Sequence, residues 1–251
     1  MLVLLPPSES KWAGPARGAS LRPETLTHPD LTPAREKVLD ALVAASARPD
    51  ALDVLGAGPS LAGTVAANTS LRERPTALAA RIYTGVLHDA LGLADLPAAA
   101  ARRVRVVSAL WGLVSPRDRV PGYRLSMGTD LPGIGPLAAF WRPFLTAALQ
   151  PAGVVLDCRS AAYAAAWVPD TATARRTVQV RVLSGGKVVS HAAKHTRGLV
   201  AGHVLRAAGP PPRTVAALAE LVARDFDVEL QPPTRAGWTL EVQAPATVGG
   251  R

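Results

Sequence analysis

Residues 104–128 read VRVVSALWGLVSPRDRVPGYRLSMG, and the rest of the chain is organised around them. The stretch opens as a buried strand: Val104, Val106 and Val107 are β-branched, and the run ends in the small Ser108. Gly112, Pro116, Pro121, Gly122 and Gly128 then break any regular pattern, so the strand is expected to give way to a loop. That loop carries Trp111, Arg117, Asp118, Arg119, Tyr123 and Arg124, where a plain connector would carry Ser, Asn and Gly. Loops that leave buried strands are where α/β proteins place their sites. The competing reading is a packed loop with an Arg117–Asp118 surface pair.

Working outward, residues 1–5 (MLVLL) read as a short buried strand ended by Pro6 and Pro7, with Ser8-Glu9-Ser10-Lys11 in an open loop. Residues 12–30 are rich in Pro, Gly and Arg and are expected to be irregular. A helix is expected over 31–47, with Thr32 as N-cap, Pro33 at the first helical position, and Val38, Leu39, Leu42 and Val43 on one face. Shorter helices are expected at 49–55, before Gly92 and at 97–102, with a helical turn at 75–80. Beyond the central loop, 137–149 is expected to be helical through Phe140, Trp141, Phe144, Leu145 and Leu149. Residues 153–158 lack polar alternation and read as a strand buried on both faces. A short Ala-rich helix follows at 160–167, then a hairpin of 177–183 with 187–191 around Ser184-Gly185-Gly186. Helices at 194–207 and 214–224 and strands at 227–230 and 238–242 close the pattern. The expectation is one α+β domain over 1–244, with a disordered tail at 245–251.

The chain of 251 residues is long enough to bury a large core, and no apolar run approaches a membrane span. The start lacks the basic region of a signal peptide, so a cytoplasmic protein without membrane contact is expected. A single cysteine, Cys158, excludes an internal disulfide and a Cys-rich zinc site. The net charge of +9 comes almost wholly from arginine, because Lys11, Lys37, Lys187 and Lys194 are the only lysines. Guanidinium forks suit phosphate and carboxylate, which makes DNA, another polyanion or a small anionic ligand the natural partner class. Shared coding bias with the abundant Ala and Pro is the alternative source of that arginine.

Several clusters carry candidate chemistry. Ser8 and Lys11 have the S-x-x-K spacing of serine acyl-enzymes, but the companion motifs are absent. The better reading is a polar loop at a strand end in which Ser8, Ser10 and Lys11 hold an anion. His191 and His195 stand four apart, yet no Glu follows as in H-E-x-x-H, so structural histidines are expected and no metal. No motif assigns a cofactor. Lys194, His195 and Arg197 crowd the expected start of a helix, which favours a nearby anion. Gly133 and Gly135, in LPGIGPLAA (131–139), are candidates for a DNA-binding hairpin whose glycine amides approach phosphate, although no helix is expected before them.

Taken in order, PPSESK (6–11), YTGVL (83–87), VVSALWGLVSPRDRVPGYRLSMG (106–128), FW (140–141), DCRSAAY (157–163) and HAAKHTRGLVAGHVL (191–205) resemble the YaaA family of peroxide-stress proteins. The resemblance implies a single-domain α+β fold with a mixed central sheet, surrounding helices and a positively charged cleft. It implies a cytoplasmic role in limiting oxidative damage, linked to DNA binding and to a lower burden of free iron. It would place Ser8, Lys11, Tyr83, Thr84, Gly85, Ser108, Trp111, Gly112, Arg117, Asp118, Tyr123, Arg124, Tyr163, Lys194, Arg197 and Gly198 in that cleft. Ser126 and Ala162 stand where the family often has acidic residues, which makes the cleft more positive and leaves Asp118 and Glu9 as carboxylates. The main expectation is a polyanion-binding, DNA-binding stress protein. The alternative is an enzyme on a small anionic or nucleobase-bearing substrate. There Lys11, Arg124, Lys194 and Arg197 would clamp the anion, and Tyr123, Tyr163 or Asp118 would move the proton. A protein that recruits a partner through a basic face is the third reading.

Overall fold

The computed structural model describes residues 1–184, 187–188 and 191–244. The glycine turn of the expected 177–191 hairpin and the expected tail at 245–251 lie outside the described residues. The main sheet is built from β1 (Leu2–Leu5), β2 (Val104–Ser108), β3 (Gly112–Val114), β4 (Val155–Asp157), β5 (Thr177–Ser184), β6 (Lys187–Val188), β7 (Val228–Thr234) and β8 (Gly237–Gln243). Its order is β7-β8-β5-β4-β1-β2-β3, with β6 paired to β5. Five neighbours, β8, β5, β4, β1 and β2, run parallel, while β3 and β7 add antiparallel edges. The fold is therefore α+β with a mixed sheet.

The central strands β1, β2 and β4 read as Val and Leu runs because both faces are covered. Val3, Leu4 and Leu5 of β1, Val104, Val106 and Val107 of β2, and Val155 and Leu156 of β4 are all fully buried. Numbered among themselves, the five parallel strands cross the sheet in the order 2-1-3-4-5. That order reverses direction beside β1. Open α/β sheets bind ligands at such reversals, at the carboxyl ends of the strands. Here those ends deliver residues 6–11, Ser108 and 157–159 to one side of the molecule.

The helices that matter are α1 (Thr32–Ser46), α2 (Val86–Leu91), α3 (Leu137–Ala148), α4 (His191–Arg206) and α5 (Val215–Val222). α1 begins one residue later than expected. Thr32 is its first residue rather than its cap, because a 3-10 turn over Pro29–Leu31 runs straight into it. α4 starts at His191, so that histidine opens a helix instead of ending a strand. The expected turn at 75–80 contains a two-residue strand, Ala77–Leu78, paired with Arg119–Val120, before a short helix at Ala79–Ile82. The central stretch also holds more regular structure than expected: Gly112–Val114 folds back antiparallel on β2. Gly198 and Gly202 let α4 press against α2. A Cβ on Gly198 would lie 2.3 Å from the Leu87 carbonyl oxygen, so this glycine packs two helices rather than facing a ligand. Among the described residues no helix is long and apolar enough to cross a membrane.

Candidate functional site

Three segments converge above the carboxyl ends of β1 and β2. Lys11 bridges Tyr83 in antiparallel fashion, and the Trp12 amide donates to the Ile82 carbonyl at 3.0 Å. The third segment, Gly122–Arg124, slides directly beneath. A Cβ on Gly122 would sit 2.4 Å from the Trp12 carbonyl oxygen, so only glycine permits the approach. Arg124 is then fixed through its backbone: its amide donates to Asn68 Oδ1 at 3.0 Å, and Asn68 Nδ2 donates to its carbonyl at 2.9 Å. Asn68 is fully buried.

The result is a cleft of about 540 Å³ lined by Glu9, Ser10, Lys11, Ala13, Leu61, Gly63, Thr64, Ala67, Arg74, Gly122, Tyr123 and Arg124. Three cationic side chains and one carboxylate face it. Arg74 is held by a 2.6 Å bond to the Ala13 carbonyl, and Arg124 Nη1 reaches the Glu9 carbonyl at 3.4 Å. Ser8 Oγ and Arg124 Nε are buried and find no hydrogen-bond partner among the described residues. Orphaned polar atoms of this kind call for an explanation, and a ligand is one.

A ladder of hydroxyls runs inward from the cleft. Tyr123 Oη lies 2.6 Å from Ser108 Oγ and 3.2 Å from Tyr83 Oη. Ser108 Oγ already accepts from the Leu110 and Trp111 amides at 3.2 and 3.0 Å, so its own proton goes to Tyr123. Whichever way the two phenols then order themselves, one phenol proton is left without an acceptor among the described residues. Burial pushes the pKa of both Tyr83 and Tyr123 up, so both phenols stay neutral.

Lys11 covers this ladder. Its Nζ lies 4.4 Å from the centroid of the Tyr123 ring and 5.9 Å from that of Tyr83. It donates one hydrogen bond, 2.6 Å to the Ser8 carbonyl. Burial, and next the neighbouring Arg124 charge, lower its pKa from 10.5 to about 7, while Glu9 acts in the opposite sense. The sign of the linked stability change follows. Between about pH 7 and 10.5 the unfolded chain holds a proton that the folded chain has released. Raising the pH through that window therefore stabilises the fold. Denaturant titrations should show the wild type gaining on Lys11→Met from pH 7 to pH 9, by at most about 1.4 kcal/mol per pH unit. Parallel stability curves for the two proteins would contradict the enclosed amine.

The structure sorts the remaining candidates. Tyr163 is buried beside the same segment, its Oη accepting from the Met127 amide at 3.4 Å, and burial raises its pKa to about 12. Lys194 reaches the rim, where its Nζ stands 3.5 Å from Glu9 on an exposed pair. Thr84 Oγ1 bonds the Ser10 carbonyl at 3.4 Å and helps shape the rim. Arg197 is not brought to the cleft, because its Nε donates to the Val180 carbonyl of β5 at 3.1 Å. Asp118 is likewise occupied elsewhere. Its carboxylate accepts from the Thr27 amide and hydroxyl and from the Ser115 amide, at 3.1, 2.8 and 2.9 Å. Arg117 beside it is exposed. Gly133 and Gly135 have φ of +81° and +88° in a tight pair of Asp130–Leu131 with Gly135–Pro136, followed by α3 but preceded by irregular backbone. Ser126 is half-buried and Ala162 exposed. Asn68 and Arg74 are site residues that no motif marked. Among the described residues no group of three or more His, Cys, Asp or Glu side chains could hold a metal.

The mixed sheet thus carries a cleft lined by Lys11, Arg74 and Arg124, with the buried phenols of Tyr123 and Tyr83 next to it. Comparison with known proteins then fixes the family. The family model described as peroxide stress protein YaaA matches residues 1–229. A UPF0246 protein of Streptomyces coelicolor is 49% identical over 96% of this chain and 98% of its own. A UPF0246 protein of Corynebacterium efficiens is 44% identical over 80% of this chain and 83% of its own, and one of Corynebacterium glutamicum is 38% identical over 79% and 82%. The chain belongs to the YaaA family of peroxide stress proteins.

Proposed function

We propose that this chain serves a cytoplasmic peroxide-stress response by binding an anionic, phosphate-bearing ligand in the cleft walled by Lys11, Arg74 and Arg124. The observation that carries this reading is the convergence of those cations on a cavity of about 540 Å³, with Arg124 Nε left without a hydrogen-bond partner among the described residues. A cavity of this size fits a small molecule or one or two nucleotides better than a duplex. The phenol ladder beneath it supports chemistry on that ligand, with Tyr123 or Tyr83 handling the proton.

Binding of DNA is a second reading, favoured by the net charge of +9 and by Gly133 and Gly135. Both glycines have open space where a side chain would be, so phosphate could approach their amides. Limiting iron-driven damage would then follow from shielding DNA. A salt titration with short phosphorylated ligands, single-stranded DNA and duplex DNA separates the two readings. Arg124→Ala is expected to weaken small-ligand affinity by about tenfold, with an unchanged melting temperature. Equal affinity of wild type and Arg124→Ala for every small anion would sink the cleft reading. Failure to bind duplex at low salt would sink the DNA reading.

A further inference from the structure

We propose that Lys11 is a nucleophilic amine that condenses with the carbonyl carbon of an anionic aldehyde or ketone, which makes phosphate- or carboxylate-bearing carbonyl compounds the cleft's substrate class. The inference rests on the reading of the cleft as an anion site and adds to it a covalent step.

Lys11 has the wrong surroundings for a simple counter-ion. An ammonium offers three N–H donors, yet among the described residues Nζ has one oxygen hydrogen-bond partner, the Ser8 carbonyl. The adjacent carboxylate, Glu9, stands 3.5 Å from Lys194 at the rim and makes no ion pair with Lys11. A neutral amine suits this setting better. One N–H satisfies Ser8, and the nitrogen lone pair is free for the cleft that Lys11 lines. The face of the Tyr123 ring supports the charged form in part, so both protonation states are accessible, as amine catalysis requires. The lowering of the Lys11 pKa agrees with the geometry.

The surrounding groups match the needs of imine formation. The Nζ lone pair attacks the carbonyl carbon, and the carbonyl π pair moves to oxygen, which takes up a proton to give a carbinolamine. Nitrogen gives up one of its protons, the hydroxyl takes up a second, the nitrogen lone pair expels it as water, and the iminium nitrogen loses its remaining proton to leave the imine. The balance is one amine and one carbonyl compound in, one imine and one water out, with no oxidant or reductant. Protons must be given and taken beside Nζ. The rings of Tyr123 and Tyr83 lie 4.4 and 5.9 Å from Nζ, and their linked hydroxyls hold one phenol proton without an acceptor among the described residues. Arg74 and Arg124 hold the anionic end and so fix the carbonyl near Nζ.

The chain's four lysines make the test site-selective. Pyridoxal 5′-phosphate, an aldehyde carrying a phosphate, is added to the full-length protein at neutral pH and the imine is reduced with borohydride. Peptide mass spectrometry then locates the adduct. The expected result is labelling of Lys11 about tenfold or more above Lys37, Lys187 and Lys194, with a rate that climbs through about pH 7. Inorganic pyrophosphate should suppress it, and Arg124→Ala should reduce it. Lys11→Arg and Lys11→Met should both lose the adduct while melting as folded proteins. Labelling spread evenly over the four lysines, or equal in unfolded protein, overturns the proposal. If the probe binds reversibly and pyrophosphate displaces it, yet no adduct forms, the imine fails while the anion site stands. If it neither binds nor labels, both fail.

Discussion

Arg35→Ala is expected to cost about 4 kcal/mol of stability and to lower the melting temperature by about 10 °C. Arg35 lies on the apolar face of α1, between Leu31 and Val38 and Leu39, and is fully buried. Its guanidinium donates to four backbone carbonyls: Trp111 at 3.0 Å, Pro23 at 3.4 Å, Thr27 at 2.5 Å and Leu113 at 2.9 Å. Burial lowers its pKa to about 10, so it remains charged at neutral pH. No carboxylate bonds it among the described residues. The fork instead gathers the irregular segment 23–27 and the start of β3 onto α1. Truncation leaves these carbonyls in a dry interior at roughly 1 kcal/mol each, together with a cavity. Arg35→Lys should recover little, because a single ammonium cannot span four acceptors. Urea unfolding of both variants measures this, and a loss below about 1 kcal/mol would contradict the assignment.

Asp157→Asn is expected to cost about 3–5 kcal/mol, because it strands the charge of Arg159 in the core. The two side chains are 3% and 1% exposed. Asp157 accepts from the Arg159 amide, Nε and Nη2 at 3.0, 2.9 and 2.7 Å. Arg159 spends its other donors on the Tyr163 and Trp167 carbonyls, at 3.1 and 3.0 Å. The pair thus ties the end of β4 to the segment that carries Tyr163. Removing both charges together, as Asp157→Leu with Arg159→Met, should cost less than the single change. A double-mutant cycle by thermal melting decides it. A double variant no more stable than Asp157→Asn would show that the pair's charge is not what the single change exposes.

These two positions also show what the sequence conceals. The central strands β1, β2 and β4 were legible because burial leaves them runs of Val and Leu, whereas β5 was legible by its alternation. Lys11, Tyr83, Ser108 and Tyr123 were legible as a group through the family's motifs. Arg35 was not: a charge among Val and Leu reads as a solvated position, and its acceptors lie up to 78 residues away in sequence. Asp118 misleads for the same reason. It looks like a free loop carboxylate until Thr27 is placed against it across 91 residues. Likewise Arg74 lines the cleft, and Asn68 holds the Arg124 backbone beside it, only after chain segments with no shared pattern meet. The three residues Gly112–Val114 are too few to announce β3, which forms on the edge that β2 offers.

The outermost strand has a consequence for solubility. β7 pairs on one side only, with β8, and its register shifts between Gln231 and Thr234. Pro232 and Pro233 fall within that irregular stretch and carry no amide hydrogen. A sheet rim interrupted in this way gives a neighbouring molecule no continuous template for strand addition. Two copies of the chain therefore cannot pair continuously through this rim.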